Sequence, residues 1–418
     1  RAMVGTRSIF GYSTRQAVIA GLTANAIKPL DTEPTAIPAF AAGWLSSELA
    51  PQLMGLSLAD TAISLARGRA TKLGVACALA SAAGLTWMTM RANKTESFIE
   101  TTLHDGVGPD YGDLLDPSLL DEVTTPVRAL VHPLKMIDPE VEVTRNINYT
   151  EGGKRALLDI YRERGANLSK APVLIQIHGG GWTIGNKEEQ GLILMNQMAK
   201  RGWVCVAANY RLSPKHKWPT HIVDVKRAIA WVREHIAEYG GDPDYLVVTG
   251  GSAGGHLSSL AAVTPNLPQF QPGFEEADTH VEACVPFYGV YDMLGEDNDK
   301  YTVGLRDQFL AKRVFGVKDT SAHLDAFRDA SPLYHVGPDS PDFFVLHGTN
   351  DTLVSVRQAR AFVAKLRAES KHSVTYAELA GAQHAFEVFG SVRSYQAIRA
   401  VGRWLAWHHA AWLRERVA

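Results

Sequence analysis

Cysteine is scarce in this chain of 418 residues, which contains only Cys77, Cys205 and Cys284. Cys205 and Cys284 lie in apolar, strand-like runs, so we expect them to be buried free thiols. Three cysteines imply no disulfide framework, and a reducing compartment is favoured. Cys284 is not predicted to be a nucleophile, because no strand–turn–helix elbow surrounds it to expose its sulfur.

An excess of charge of one sign is also lacking, since 42 Lys and Arg face 44 Asp and Glu, for a net charge of −2. This balance gives no reason to expect nucleic acid or another strongly acidic partner. We find no internal repeat and no low-complexity tract. Hydrophobic residues make up 46% and charged residues 21%, which is typical of a globular chain, and the length allows two or three domains.

The most informative motif is Gly250-Gly251-Ser252-Ala253-Gly254. A strand-like run over 245–248 precedes it, and a helix-like run over 255–262 follows it. A serine on such a strand-to-helix turn projects its hydroxyl from the sheet edge. The glycines allow the close backbone approach that the turn requires. A Gly/Ser-rich turn without chemistry is the alternative, and the residues described next argue against it.

A serine hydroxyl needs a base to become a nucleophile, and the base needs an orienting acid. Asp351 lies just beyond an apolar strand, and His384 lies on the loop after the next strand, which gives the order Ser252, acid, histidine. The alternatives are an N-cap role for Asp351 on a helix over 355–366 and a surface-loop role for His384. Asp342 is a rival acid, but it precedes its strand and falls at the wrong sheet edge.

Three consecutive glycines follow a buried, strand-like run over 173–177, in the sequence His178-Gly179-Gly180-Gly181-Trp182. Their bare N–H groups suit the negative oxygen of a tetrahedral intermediate, and the N–H of Ala253 adds to them. A phosphate-binding glycine loop is the alternative. It is disfavoured because neither G-x-G-x-x-G nor a Lys-Ser/Thr ending is found there.

The sequence resembles the hormone-sensitive-lipase-like carboxylesterases of the α/β-hydrolase superfamily over roughly residues 140 to 418. The resemblance implies a Ser252–His384–Asp351 triad, an oxyanion hole from Gly180, Gly181 and Ala253, and no metal or organic cofactor. Three positions depart from the best-known subgroups: Gly251 replaces Asp or Thr, Ala385 replaces Gly, and Ser355 stands where a second acid often follows the catalytic one by four positions. The matching segments are His178-Gly179-Gly180-Gly181-Trp182, Tyr210-Arg211-Leu212-Ser213-Pro214, Gly250 to Gly255, Asp351-Thr352-Leu353 and His384-Ala385-Phe386.

Alternating strands and helices from residue 141 onward predict an α/β fold with a mostly parallel central sheet and helices on both faces. The catalytic domain is therefore placed at 141–418. The interval of about 290–336 breaks the alternation and is interpreted as a lid insertion, with a plain surface insertion as the alternative. The predicted strands cover 141–149, 156–161, 173–177, 203–210, 245–249, 281–288, 343–346 and 373–379.

Residues 1–140 show no strand alternation and are predicted to form a helical N-terminal region. Residues 36–59 are apolar apart from Glu48 and a few small polar residues, and residues 73–90 carry no charge but have basic residues on both sides. The second stretch sits at the lower length limit for a membrane span. We therefore leave three roles open, namely membrane contact through residues 36–90, a soluble cap or homo-oligomer surface, and a cleaved signal region. Localisation is correspondingly either cytoplasmic or membrane-associated, peripheral or integral, and the acidic stretch 110–122 is interpreted as a linker.

We expect a serine carboxylesterase that hydrolyses short- to medium-chain acyl esters of small molecules through an acyl-enzyme. A lipase acting on membrane or envelope lipids and an amidase or arylformamidase are the alternatives, because the triad and the hole do not separate ester from amide substrates. A non-catalytic binding protein on the same scaffold is disfavoured, since all three triad residues are present.

Overall fold

The computed structural model describes residues 11–30, 36–119, 125–136, 138–296 and 299–417. Small parts of the predicted N-terminal region, acidic linker and lid insertion therefore lie outside the described residues.

Eight strands form one sheet in the order β1-β2-β4-β3-β5-β6-β7-β8. The pairs β1/β2 and β2/β4 are antiparallel, and every other pair is parallel. The predicted α/β-hydrolase fold with a mostly parallel sheet is thereby confirmed. The strands are β1 (Val141–Asn148), β2 (Leu157–Glu163), β3 (Ala171–Ile177), β4 (Val204–Ala208), β5 (Gly241–Gly251), β6 (Ala283–Phe287), β7 (Asp342–Gly348) and β8 (Val374–Leu379).

Helices cover both faces of the sheet, which explains why its central strands are apolar throughout rather than alternating. Along β3, Val173 and Ile175 belong to one buried cluster, and Leu174 belongs to the cluster on the opposite face. The α-helices are α1 (Tyr12–Ile27), α2 (Ala36–Glu48), α3 (Ala50–Ala66), α4 (Lys72–Asn93), α5 (Thr95–Val107), α6 (Val127–Val131), α7 (Leu192–Ala199), α8 (Thr220–His235), α9 (Ala253–Val263), α10 (Lys300–Gly304), α11 (Leu324–Asp329), α12 (Val356–Glu369) and α13 (Val392–Val417).

The two layers follow from the apolar stripes of these helices. Helices α8, α9 and α12 contribute to the cluster on one face, and α5, α7 and α13 contribute to the cluster on the other. In α12, for example, Ala359, Phe362 and Leu366 recur at spacings of three and four residues and are buried. The sheet is therefore held between two helical layers, with the carboxyl ends of its parallel strands left at one edge.

The N-terminal helices have a small core of their own, built from Ala26, Ala50, Leu85 and Met88. Many of their other large apolar side chains are exposed, including Leu56 and Leu79, each at 67%. Within the described ranges, one helical stretch, Lys72–Val107, is long and apolar enough to cross a membrane by length and composition, and 28% of its most apolar window is buried.

The acidic stretch interpreted as a linker is folded where the structure describes it. Short 3₁₀ turns at Pro109–Leu114 and Pro117–Leu119 follow α5, and Tyr111 and Leu115 are buried in the same cluster as α13. The segment after β6 contains α10, a π-helix over Leu305–Phe315 and α11.

Candidate active site

Ser252 lies in the turn between β5 and α9, with φ 58° and ψ −120°. A positive φ is rare for a residue with a side chain, and such strain concentrates at functional sites. The turn is pressed against β3, because a Cβ on Gly250 or Gly254 would lie 2.4 or 2.0 Å from the carbonyl oxygen of Ile177. The motif therefore needs its glycines for steric reasons, and it leaves Ser252 partly exposed at the sheet edge.

Asp351 and His384 meet beyond the carboxyl ends of β7 and β8. The Nδ1 atom of His384 lies 2.6 Å from Oδ2 of Asp351, and both side chains are buried. The other carboxylate oxygen accepts the backbone N–H groups of Leu353 and Val354 at 2.9 and 2.8 Å. The carboxylate is therefore held on both oxygens with one of them aimed at the imidazole.

The alternatives for the acid fit the structure poorly. The side chain of Ser355, not Asp351, caps α12 by accepting the N–H of Arg357. Asp342 begins β7 at the opposite end of the strand, where its Oδ2 lies 3.2 Å from Nε2 of His408. Asp351 is therefore not the cap of α12. Asp342 lies at the end of its strand away from His384, so it is not placed to act as the acid.

Asp351 also faces a second histidine. Nε2 of His347 lies 3.1 Å from Oδ2 of Asp351. Burial of Asp351 disfavours its charge, but His384 and then His347 outweigh burial and hold the pKa of this carboxyl well below its usual range. His347 was not among the residues predicted from the sequence, although its spacing of four residues from Asp351 across a tight turn was a usable signal.

Ser252 and His384 reach the same edge of the sheet, and Tyr288 contacts both the serine turn and the histidine. The ring of Tyr288 lies 4.5 Å from the ring of His384, and a Cβ on Gly251 would lie 2.7 Å from the tyrosine hydroxyl. In the described structure the Ser252 hydroxyl and Nε2 of His384 form no hydrogen bond with each other. Catalytic hydrogen bonds of this kind are often long without substrate and tighten when substrate binds.

Tyr288 is itself held by a buried carboxyl. Its hydroxyl donates a hydrogen bond to Oε2 of Glu387, whose side chain lies on the loop after His384. Burial raises the pKa of Glu387 to about 7, against the opposing effect of the Tyr288 hydrogen bond. Neither Tyr288 nor Glu387 was predicted from the sequence to lie at the site.

The glycine loop after β3 leaves two N–H groups available. The N–H of Gly179 donates to Oε1 of Gln190 at 2.7 Å. In contrast, those of Gly180 and Gly181 donate no hydrogen bond to any residue that the structure describes. Both glycines have positive φ, at 114° and 57°, and a Cβ on Gly180 would lie 2.3 Å from the carbonyl oxygen of Ile184. The loop conformation therefore depends on glycine.

Trp182 ties this loop to the helix behind the serine. Its Nε1 donates to Nδ1 of His256 at 3.2 Å, and Nε2 of His256 lies 2.6 Å from the carbonyl oxygen of Ala330. Burial lowers the pKa of His256 to about 4, so the imidazole is neutral at pH 7 and can accept the indole N–H. The glycine loop, α9 and the segment after β6 are thus connected by one buried chain of hydrogen bonds.

Helix α2 of the N-terminal region packs on the histidine loop. Nε1 of Trp44 donates to the carbonyl oxygen of Ala385 at 2.7 Å, and the ring of Phe40 meets the ring of His384 edge-on at 5.9 Å. Phe40 is only partly buried, so it forms part of the rim of the site. No N-terminal residue was predicted from the sequence to lie at the site.

A buried ion pair fixes the same helix one turn further on. Nε of Arg393 lies 3.1 Å from Oε1 of Glu48, and both side chains are at most 2% exposed. Glu48 is the only charged residue in the apolar run 36–59. A single charge in such a run is a sequence signal that the residue pairs with a specific side chain of opposite charge. The amide of Asn350, next to the acid, donates to the carbonyl oxygens of Ala26 and Ile27 at the end of α1.

The strand order, the strained serine turn, and the acid and histidine loops at one sheet edge define an α/β-hydrolase. Among the described residues, no group of three or more His, Cys, Asp or Glu side chains could hold a metal ion. Residues 158–366 match the family described as BD-FAE. The chain belongs to this family and is a hormone-sensitive-lipase-like carboxylesterase, as the sequence motifs predicted.

Two similar proteins come from Mycobacterium tuberculosis. The probable carboxylic ester hydrolase LipM is 45% identical over 93% of this chain and 91% of its own length. The esterase LipQ is 41% identical over 87% of this chain and 83% of its own length. The prediction that the chain is a carboxylic ester hydrolase acting on small-molecule esters is confirmed at this level.

A solved structure agrees with this assignment. The butyrate-bound esterase Est2 of Thermogutta terrifontis superposes with a TM-score of 0.54 at 26% identity, and the match covers 94% of that chain but 65% of this one. About a third of this chain, by length, is therefore additional to the esterase core that the two proteins share.

Proposed function

We propose that ester hydrolysis proceeds by attack of Ser252 on the ester carbonyl, with His384 as general base and Asp351 as its orienting acid. The observation that carries the proposal is the strained serine turn at the same sheet edge as the buried Asp351–His384 pair. Nδ1 of His384 donates to the carboxylate, which leaves Nε2 to take the serine proton. The same nitrogen then protonates the leaving alcohol, and water releases the acyl group in a second half-reaction.

The tetrahedral intermediate is bound by the N–H groups of Gly180, Gly181 and Ala253. The first two have no hydrogen-bond acceptor among the residues that the structure describes, and the third is the first N–H of α9, which no intrahelical acceptor satisfies. Each such donor is worth on the order of 3 kcal/mol of transition-state stabilisation.

The preferred substrates are esters with short to medium acyl chains. The rim of the site includes two aromatic rings, Phe40 against His384 and Phe309 beside Gly181, where a Cβ would lie 3.3 Å from the ring. Phe309 belongs to the π-helix in the predicted lid insertion, so this segment contacts the glycine loop. The butyrate-bound relative is consistent with an acyl chain of this size.

Replacement of Ser252 by Ala tests the mechanism on p-nitrophenyl butyrate. We expect turnover to fall to background while the thermal unfolding midpoint stays close to that of the wild type. Ser259→Ala is the matched control, because Ser259 lies on α9 and its hydroxyl is buried without a hydrogen-bond partner in the described structure. Unchanged turnover in Ser252→Ala would refute the assignment of the nucleophile.

Ester rather than amide hydrolysis is proposed because the similar proteins are named as esterases. Matched ester and anilide substrates separate the two reactions. A larger kcat/KM on the anilide would favour an amidase or arylformamidase.

The N-terminal helices are proposed to contact a membrane surface through residues 36–90, so that the enzyme is peripherally membrane-associated and has access to membrane or envelope lipid esters. Leu56 on α3 and Leu73 and Leu79 on α4 support this, because each is at least 65% exposed. Liposome flotation of the full chain and of a variant with these three leucines changed to Ser tests the proposal. Loss of flotation in the variant supports it, whereas a soluble wild-type protein that becomes smaller by light scattering when the leucines are changed would identify a homo-oligomer surface instead.

A further inference from the structure

His347 is a buried histidine that touches the active site only through Asp351. It lies near the end of β7, four residues before Asp351, and its side chain is fully buried. Its Nε2 lies 3.1 Å from Oδ2 of Asp351 and 3.0 Å from the carbonyl oxygen of Val354. It has no position from which to touch the ester.

The neighbours of His347 determine which nitrogen carries its proton. The Val354 carbonyl and the Asp351 carboxylate only accept hydrogen bonds, so Nε2 carries the hydrogen. Nδ1 is buried and has no hydrogen-bond partner among the described residues, so a second proton there would have no acceptor. Nε2 donates this hydrogen to the carbonyl oxygen of Val354 and also lies 3.1 Å from Oδ2 of Asp351, so its polar N–H group is next to the carboxylate.

The two imidazoles share one carboxylate oxygen. Oδ2 of Asp351 accepts from Nδ1 of His384 and lies 3.1 Å from Nε2 of His347, while Oδ1 accepts two backbone N–H groups. The Nε2–H group of His347 thus lies against the carboxylate oxygen that faces His384. This N–H group also offsets part of the negative charge of the Asp351 carboxylate, which would otherwise act on His384 alone.

The other titratable groups nearby do not replace this contact. Glu378 is the register partner of His347 on β8, but its carboxylate is bound by Arg360. Tyr288 packs against the ring of His384 and donates to Glu387. Among these groups, only the two histidines contact the Asp351 carboxylate.

We propose that His347 is a positioning residue for the catalytic acid. It holds the Asp351 carboxylate in its orientation and reduces the effective negative charge that this carboxylate presents to His384. The proposal rests on the proposed Ser252–His384–Asp351 mechanism. It predicts that His347 affects both the turnover number and its pH dependence without affecting substrate affinity.

The test compares His347→Leu, which removes the donor, with His347→Gln, whose amide N–H replaces that of Nε2. For His347→Leu we expect kcat to fall about 10- to 100-fold with KM within about twofold of the wild type, since the effect is on geometry at the reacting groups. The acid limb of the kcat/KM profile between pH 5 and 9 should move up by about half a pH unit, because Asp351 then favours the charged imidazole more strongly. His347→Gln should restore the wild-type limb and most of kcat.

His408→Leu is the matched control, because this histidine is also buried and also bound to an aspartate, Asp342, at the opposite end of β7. It should lose stability but keep the wild-type rate and pH profile per active site, counted by fluorophosphonate titration. Equal effects of His347→Leu and His408→Leu, or equal effects of His347→Leu and His347→Gln, would overturn the proposal. Failure of the triad itself would show differently, as turnover retained in Ser252→Ala.

Discussion

The buried carboxyl of Glu387 provides a pH-dependent test of the packing around His384. Burial raises its pKa from an ordinary value of 4.5 to about 7 in the folded chain. Between these two pH values the folded protein binds more protons at this site than the unfolded chain does. The free energy of unfolding therefore falls as pH rises through this window. A shift of this size corresponds to about 3 kcal/mol, because each pKa unit is worth about 1.4 kcal/mol.

The Glu387→Gln substitution should remove this loss of stability at higher pH. Glutamine has the same shape, cannot ionise, and still offers an oxygen to the hydroxyl of Tyr288. We expect the variant and the wild type to be equally stable near pH 4.5. By pH 8 the variant should be the more stable of the two, by up to about 3 kcal/mol.

Urea denaturation of both proteins at pH 5 and pH 8 measures how their difference in unfolding free energy changes with pH. The contributions of the other titrating groups cancel in this difference, because both proteins share those groups. Glu234→Gln is the control, since Glu234 has a side chain that is 78% exposed. Its difference from the wild type should not depend on pH. A Glu387→Gln difference that is the same at both pH values, or that reverses sign, would refute the reasoning.

Three further predictions follow from contacts at the site. Gly254→Ala should lower kcat/KM by roughly 100-fold or more, because its Cβ would lie 2.0 Å from the carbonyl oxygen of Ile177 and displace the serine turn; wild-type kinetics would contradict this. Glu48→Ala should cost about 3–5 kcal/mol in urea denaturation by leaving Arg393 buried without its partner, and adding Arg393→Ala should recover part of the loss. Asp351→Asn should be less stable than the wild type at pH 7, and the difference in unfolding free energy should narrow as pH falls below about 4. A depressed carboxyl pKa contributes its full stability above the unfolded value and loses it progressively as pH falls further; a constant difference would be inconsistent with this.

The sheet and the serine turn were predictable because their signals are local. All eight predicted strands are present, with ends that differ by a few residues, as in 203–210 against Val204–Ala208 for β4. Apolar runs bounded by glycine turns mark strands buried on both faces. The steric need for glycine at positions 250 and 254 likewise follows from the motif, before any coordinate is known.

The surroundings of His384 were not predictable, because they depend on contacts between distant parts of the chain. Trp44 reaches Ala385 across 341 positions in sequence, and Glu48 reaches Arg393 across 345. An apolar helical run indicates that something must cover it, but not whether that is a membrane, another subunit or the enzyme itself. In the structure, α2 packs partly against the catalytic domain of the same chain. The exposed apolar side chains of α3 and α4 are therefore the ones whose partner is still to be explained.

Peptide mapping after fluorophosphonate labelling tests the central claim most directly. The wild-type protein should carry one adduct, on Ser252, and His384→Ala should be labelled at this serine much more slowly while remaining folded. An adduct on another residue, or labelling of Ser252 at the same rate without His384, would contradict the account.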